Sequence, residues 1–187
     1  MTQRRPRKPR PPLSQALLDE LALGYVGRFA TSRAKLASYL RRKLRERGWA
    51  GAGEADVDSL VARFAASGLV DDSAFALAKA QSLARRGYGK RRLAAVLRQA
   101  GVGDDEGAEA YDHANREAAS AALRFAERRR IGPFAAAVPI DLNDRSKQRD
   151  KHLSAMVRAG HPFALALAIL RLPPGAAPDL EELAAEL

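Results

Sequence analysis

A chain of 187 residues carrying a formal net charge of +10, with a pI near 10.5, is long enough to bury a real core and is set up to meet an anionic partner. It contains no cysteine, which excludes disulfide and thiolate chemistry, and no run near the ~20 apolar residues that would span a bilayer. Aromatics are only 6% and alanine, leucine, arginine and glutamate dominate, a mixture that favours helices over strands.

In chain order, residues 1–12 combine four prolines with five cations (Arg4, Arg5, Arg7, Lys8, Arg10), so a disordered basic arm is expected. No apolar stretch or cleavage site follows it, so no secretory signal is expected, and the cytoplasm is the expected location. Ser14 suits the N-cap of a first helix bearing Leu17, Leu18, Leu21 and Tyr25. Thr31 or Ser32 caps a second, whose Leu36, Tyr39, Leu40 and Leu44 share one face while Arg41, Arg42 and Arg45 share the other. Gly48 ends it where a left-handed residue is wanted. Val57, Leu60, Val61 and Phe64 mark a third helix, closed by Gly68.

Helices at about 72–86 and 89–100 flank the densest knot of charge, Arg85-Arg-Gly-Tyr-Gly-Lys-Arg-Arg92, with five cations in eight residues. Asp71 and Asp72 start the first of these as helix-capping acids rather than metal ligands. Leu93, Val96, Leu97 and Ala100 form the apolar stripe of the second. Amides at the start of that second helix, beside Lys90, Arg91 and Arg92, offer an anion a seat. A solvated loop is the competing account of the same residues. Phe64, Phe75, Leu93 and Leu97 are expected to be buried together between adjacent units.

After Gly101 an acidic linker (Asp104, Asp105, Glu106) and a weak helix through Tyr111 are expected. An alanine-rich helix then runs from Asn115 to Arg130, and Gly132-Pro133 stops it. Residues 134–144 read as irregular, followed by a helix bearing Leu153, Met156 and Val157. Pro162 opens another at its first turn, carrying Phe163, Leu167 and Leu170. Pro173-Pro174 breaks it, and residues 173–187 read as an acidic tail or final turn.

Leu40, Leu44 and Gly48 match Leu93, Leu97 and Gly101, and also Leu153, Val157 and Gly160 with one residue lost. That recurrence points to an all-α, elongated tandem array of three-helix repeats at 14–68, 69–115 and 116–172. Chance similarity among leucine-rich helices is the alternative.

Catalytic signatures are missing. His113, His152 and His161 stand apart, Gly87-Tyr-Gly-Lys90 lacks P-loop spacing, and no nucleophile, base and oxyanion donor converge. Asp141, Asp144 and Asp150 stand among Arg145, Lys147, Arg149 and Lys151 and read as surface charge compensation. Neither an enzyme nor a cofactor or metal is expected.

Gly68-Leu-Val-Asp-Asp-Ser-Ala-Phe-Ala76, continuing to Arg85-Arg-Gly-Tyr-Gly-Lys-Arg-Arg-Leu93, resembles the signature of the RecX family of bacterial recombinase regulators. Ser32-Arg-Ala-Lys-Leu36 and the Leu40–Leu44–Gly48 spacing resemble its first repeat, and the third block matches more loosely. The resemblance spans about residues 14–171. It implies a modular helical protein that binds the RecA–single-stranded DNA filament and suppresses its ATP hydrolysis, growth and strand exchange, in recombination, DNA repair and the SOS response. It also implies some direct contact with DNA, single-stranded and, non-specifically, double-stranded. From charge and spacing, Arg41, Arg42, Arg45, Arg85, Arg86, Tyr88, Lys90, Arg91 and Arg92 are the expected partner- and nucleic-acid-binding residues, in a monomer without a membrane partner. A stand-alone nucleoid or transcription factor is the alternative, although its second helices carry almost no side chains suited to reading base edges.

Overall fold

The computed structural model describes residues 11–136 and 141–186, and most of the expected basic arm lies outside them. Among the described residues every regular element is a helix, apart from one isolated backbone bridge between Leu13 and Trp49. None of these helices is long and apolar enough to cross a membrane. The chain divides into two compact units, Met1–Asp72 and Ser73–Leu187.

The first unit holds α1 (Gln15–Val26), α2 (Arg33–Arg47) and α3 (Val57–Ala66). Ser14 caps α1 and Ser32 caps α2, each accepting from the amide three residues on. Asp56 caps α3 through both the amide and the hydroxyl of Ser59, and these bonds hold its carboxyl below the usual range. Leu18, Leu36, Leu40, Leu60 and Phe64 meet in one core, with Tyr39 and Leu44 partly buried against it. Leu13 closes that core, held by hydrogen bonds between its backbone and Gly48 and Ala50. Gly48 takes φ +78°, as the end of a helix before a reversal requires.

Asp72 stands at the helix start where it is expected, and has a second role. It lies inside the first turn of α4 (Asp72–Arg85), is buried, and accepts from the Arg33 amide at 2.8 Å and the Arg33 Nε at 3.0 Å. Its carboxylate therefore satisfies the start of α2, a tertiary duty that spacing along the chain does not reveal.

The second unit contains two cores. Phe75, Leu83, Leu93, Leu97 and Ala100 gather between α4, α5 (Lys90–Gln99) and α6 (Asp104–Arg116). Phe75, Leu93 and Leu97 thus share a core to which Phe64 does not belong, and the expected four-residue grouping is corrected. The acidic stretch after Gly103 is no linker. It is the first turn of the 13-residue α6, where Asp104, Asp105 and Glu106 meet the positive end of the helix dipole.

The other core is built by α7 (Ala118–Arg129), α8 (Leu142–Arg158), α9 (Phe163–Arg171) and α10 (Leu180–Ala184), with Phe125, Ile131, Met156, Leu165 and Ile169 at its centre. The helix expected from Asn115 to Arg130 is interrupted at Glu117, and Arg130 ends α7 in the left-handed region at φ 53°. Asp141 is not merely compensating charge. It caps α8, which starts about three turns before Leu153, in a segment expected to be irregular. In α9 the inward face is Leu165, Ala166 and Ile169, while Phe163 is exposed and Pro162 stands at the N-cap. The acidic C-terminal segment places Leu183 in this core, with Asp179 capping α10.

Candidate functional site

The Gly87-Tyr88-Gly89 bend is where the two cores of the second unit meet, and Tyr88 packs against both. Gly87 takes φ +70° and ends α4, with its amide donating to Ala84 and that of Tyr88 to Leu83, both at 2.9 Å. The last carbonyls of α4 find their partners on α7 and just before α9. Arg124 Nε donates to Ala84 O at 3.3 Å and Arg128 donates to Arg86 O. His161 Nε2 lies 3.1 Å from Gly87 O. Cationic donors at a helix C-terminus also complement its dipole.

Beyond the bend, the seat expected for an anion is already taken. The Gly89 amide donates to Ala159 O at 3.0 Å and the Arg91 amide to Gly160 O at 3.2 Å, so the start of α5 is satisfied by the end of α8. Neither glycine of the bend has room for a side chain. A Cβ on Gly87 would stand 2.8 Å from Phe125 N, and one on Gly89 only 2.3 Å from Gly160 O. The bend is thus a packed joint, not a solvated loop.

His161 is the polar centre of that joint. It is fully buried, its ring lies 5.7 Å from that of Phe125, and Nδ1 has no partner among the described residues. A carbonyl can only accept, so Nε2 carries a proton, and burial with no acceptor at Nδ1 favours the neutral ring. Burial lowers its pKa below 6.5, only partly offset by the Gly87 carbonyl.

A cleft of about 520 Å³ opens beside the bend. Phe125, Ile131, Ala155 and Ala159 give it an apolar floor, and Tyr88 with His152 forms part of the wall. Arg92 from α5, Arg129 from the end of α7, and Lys151 and Arg158 from α8 supply its charge. The Arg92 guanidinium lies 6.0 Å from the Tyr88 ring centre and that of Arg129 lies 5.7 Å from Phe125, contacts that hold the two cations over aromatic faces. No carboxylate lines the cleft, and none of its four cations forms an ion pair among the described residues. His152 reports the local field: burial and then neighbouring Lys151 both lower its pKa.

The nine expected binding residues separate by environment. Tyr88 and Arg92 line the cleft. Arg86 stacks 5.3 Å from the Tyr88 ring and Lys90 lies 5.8 Å from that of Tyr111, while Arg85 and Arg91 are exposed at the ends of the bend. The first-unit cations stand among acids. Arg41 pairs with Asp58 at 2.6 Å, Arg42 approaches Glu46 at 4.0 Å, and Arg45 shares a depression with Glu54, Asp56 and Asp58. Such exposed pairs add little stability, but they neutralise the surface locally. Arg129, Lys151, His152 and Arg158 escaped sequence reading. The run Arg128-Arg129-Arg130 and the cations after Lys147 were visible, but their convergence on Tyr88 is tertiary.

Chemically, the cleft offers directed positive charge over an apolar floor. Among the described residues no three acids or histidines are placed to hold a metal ion. Three-helix groups of this kind place the chain in the class of all-α helical-repeat proteins. The family model for the second three-helix domain of RecX matches residues 71–110. The chain is 32% identical to the regulatory protein RecX of Myxococcus xanthus over 90% of its own length and 91% of that relative's. With a RecX protein of Thermus thermophilus it shares 37% identity over 55% of this chain and 69% of the relative. The RecX protein of Mycobacteroides abscessus is 39% identical over 54% of this chain and 48% of its own. The chain belongs to the RecX family of regulatory proteins.

Proposed function

We propose that the chain regulates RecA recombinase: it binds the RecA–single-stranded DNA filament and restrains its ATP hydrolysis, growth and strand exchange. It does so by binding, without catalysis or cofactor, as a cytoplasmic monomer built from three repeats, one around each hydrophobic core. The supporting observation is the carboxylate-free cleft, whose cations differ from the neutralised ones of the first unit. Phosphates of the filament's DNA meet Arg92, Arg129, Lys151 and Arg158, while Arg85, Arg86, Lys90 and Arg91 extend the basic surface around Tyr88. Arg41, Arg42 and Arg45, balanced by acids, attract phosphate less and are assigned to the protein side of the filament.

The test is a titration of the protein into RecA on single-stranded DNA while ATP hydrolysis is followed. Wild type inhibits, K151A/R158A requires about tenfold more protein for the same inhibition, and R41A/R45A keeps its affinity for naked single-stranded DNA. Each phosphate contact removed lowers the slope of log affinity against log salt by about one. A wild-type protein that leaves hydrolysis untouched refutes the regulatory reading.

A further inference from the structure

The arrangement of the cleft's cations is more specific than attraction to a strand requires. A backbone-tracking groove sets charges in a row with two open ends. Here they converge from three helices around one concavity. Its volume of about 520 Å³ falls within the range of roughly 300–1,000 Å³ typical of small-molecule sites. Arg92 and Arg129 rest against the faces of Tyr88 and Phe125, which biases them toward the cleft before anything binds. The ligand that matches four unpaired cations in so small a space is a compact polyanion. A phosphodiester brings one charge per phosphorus, whereas a terminal phosphoryl group alone carries roughly 1.5–2. Each internal phosphoryl of a condensed chain adds to that.

We propose that the cleft is a receptor for a condensed phosphate chain of the kind carried by a nucleoside triphosphate, and that this ligand competes there with nucleic-acid phosphate. The competition rests on the functional reading above; the phosphate site itself does not. Arg92 and Arg129 grip the chain through forked guanidinium hydrogen bonds, and Lys151 and Arg158 close over it as charges from the facing helix.

The full-length protein is titrated calorimetrically with inorganic tripolyphosphate, ATP and AMP at two salt concentrations. In parallel, a fluorescent single-stranded oligonucleotide is followed by anisotropy with and without tripolyphosphate. Tripolyphosphate and ATP should bind saturably with one site per chain, and AMP about tenfold more weakly. K151A/R158A removes two of the cleft's four cations, and a melting curve checks that it folds. It should lose about tenfold in affinity for both polyphosphates, while R41A/R45A stays within about twofold of wild type. Tripolyphosphate should displace the oligonucleotide. Absence of saturable binding, equal affinity for AMP, or an equal loss in both variants overturns the proposal. Oligonucleotide binding that needs Lys151 and Arg158 while tripolyphosphate fails to bind sinks this proposal and leaves the functional reading standing. Polyphosphate binding without oligonucleotide binding supports the receptor and overturns the competition.

Discussion

Gly89→Ala isolates the role of the packed joint, because Gly89 has φ −87° and the substitution brings no backbone strain of its own. The new Cβ would lie 2.3 Å from Gly160 O, 2.4 Å from Gly160 C and 2.7 Å from His161 N, all backbone atoms that cannot swing aside. The end of α8 and the start of α5 must separate, which costs about 1–3 kcal/mol as overpacking. The Gly89–Ala159 and Arg91–Gly160 hydrogen bonds weaken as they part, at about 0.5–1.5 kcal/mol each. The sum is about 2–6 kcal/mol, and its midpoint lowers the melting temperature of a chain this long by about 8–16 °C. Gly24→Ala is the matched control. Gly24 lies within α1 with nothing inside 4 Å of its Cβ position, so alanine there stabilises by about 0.5–1 kcal/mol. Thermal unfolding followed by circular dichroism reads both. If G89A melts with wild type, or shifts in the same direction as G24A, α5 and α8 do not meet as described.

Leu97→Ala empties a fully buried position in the core of α4–α6 and should cost about 2–5 kcal/mol in denaturant titrations. Because burial holds the His161 pKa below 6.5, the unfolded chain binds the extra proton first. Stability is therefore complete above pH 6.5 and falls toward the lower folded pKa, by up to about 1.4 kcal/mol per pH unit. His161→Gln should flatten that slope in melts between pH 5 and 8, to the extent that His161 rather than half-buried His152 carries it. Deleting residues 1–10 removes five cations yet keeps Pro11, whose carbonyl accepts from Arg47 at 3.0 and 2.8 Å. The deletion should weaken binding to naked DNA but spare recombinase inhibition. K151E/R158E shifts charge by only four and should abolish the inhibition, as ATP-hydrolysis assays at two salt concentrations will read.

What was legible in the sequence was local. Ser14 and Ser32 cap where hydroxyl chemistry and apolar periodicity agree, and Leu36, Leu40, Leu93 and Leu97 turn inward as their spacing demands. The left-handed Gly87 could be anticipated, since a tight bend after a helix needs one. Gly89 could not, because its requirement is the carbonyl of Gly160, 71 positions away. The second role of Asp72, the cap made by Asp141 and the place of the acids of α6 were hidden for one reason. A carboxylate before a helix, inside its first turn, or reaching to another helix gives the same letters, and only packing decides among them. The early start of α8 was hidden because its first turns are exposed and carry no apolar period.

The candidate site shows the same division between composition and geometry. Counting cations selects Arg41, Arg42 and Arg45 as readily as Arg92, Arg129, Lys151 and Arg158, yet Asp58, Glu46 and neighbouring acids neutralise the former. The latter have no carboxylate among the residues that line their cleft, and none of them forms an ion pair among the described residues. The joint beneath them is tied across the chain: the carbonyls of Ala84, Arg86 and Gly87 meet Arg124, Arg128 and His161, and the amides of Gly89 and Arg91 meet the carbonyls of Ala159 and Gly160. A partner meeting Tyr88 and Arg92 therefore has no backbone to order, which preserves binding energy that a flexible basic loop would lose to entropy. Free charge on a rigid support, rather than total charge, is what distinguishes this cleft from the rest of a +10 chain.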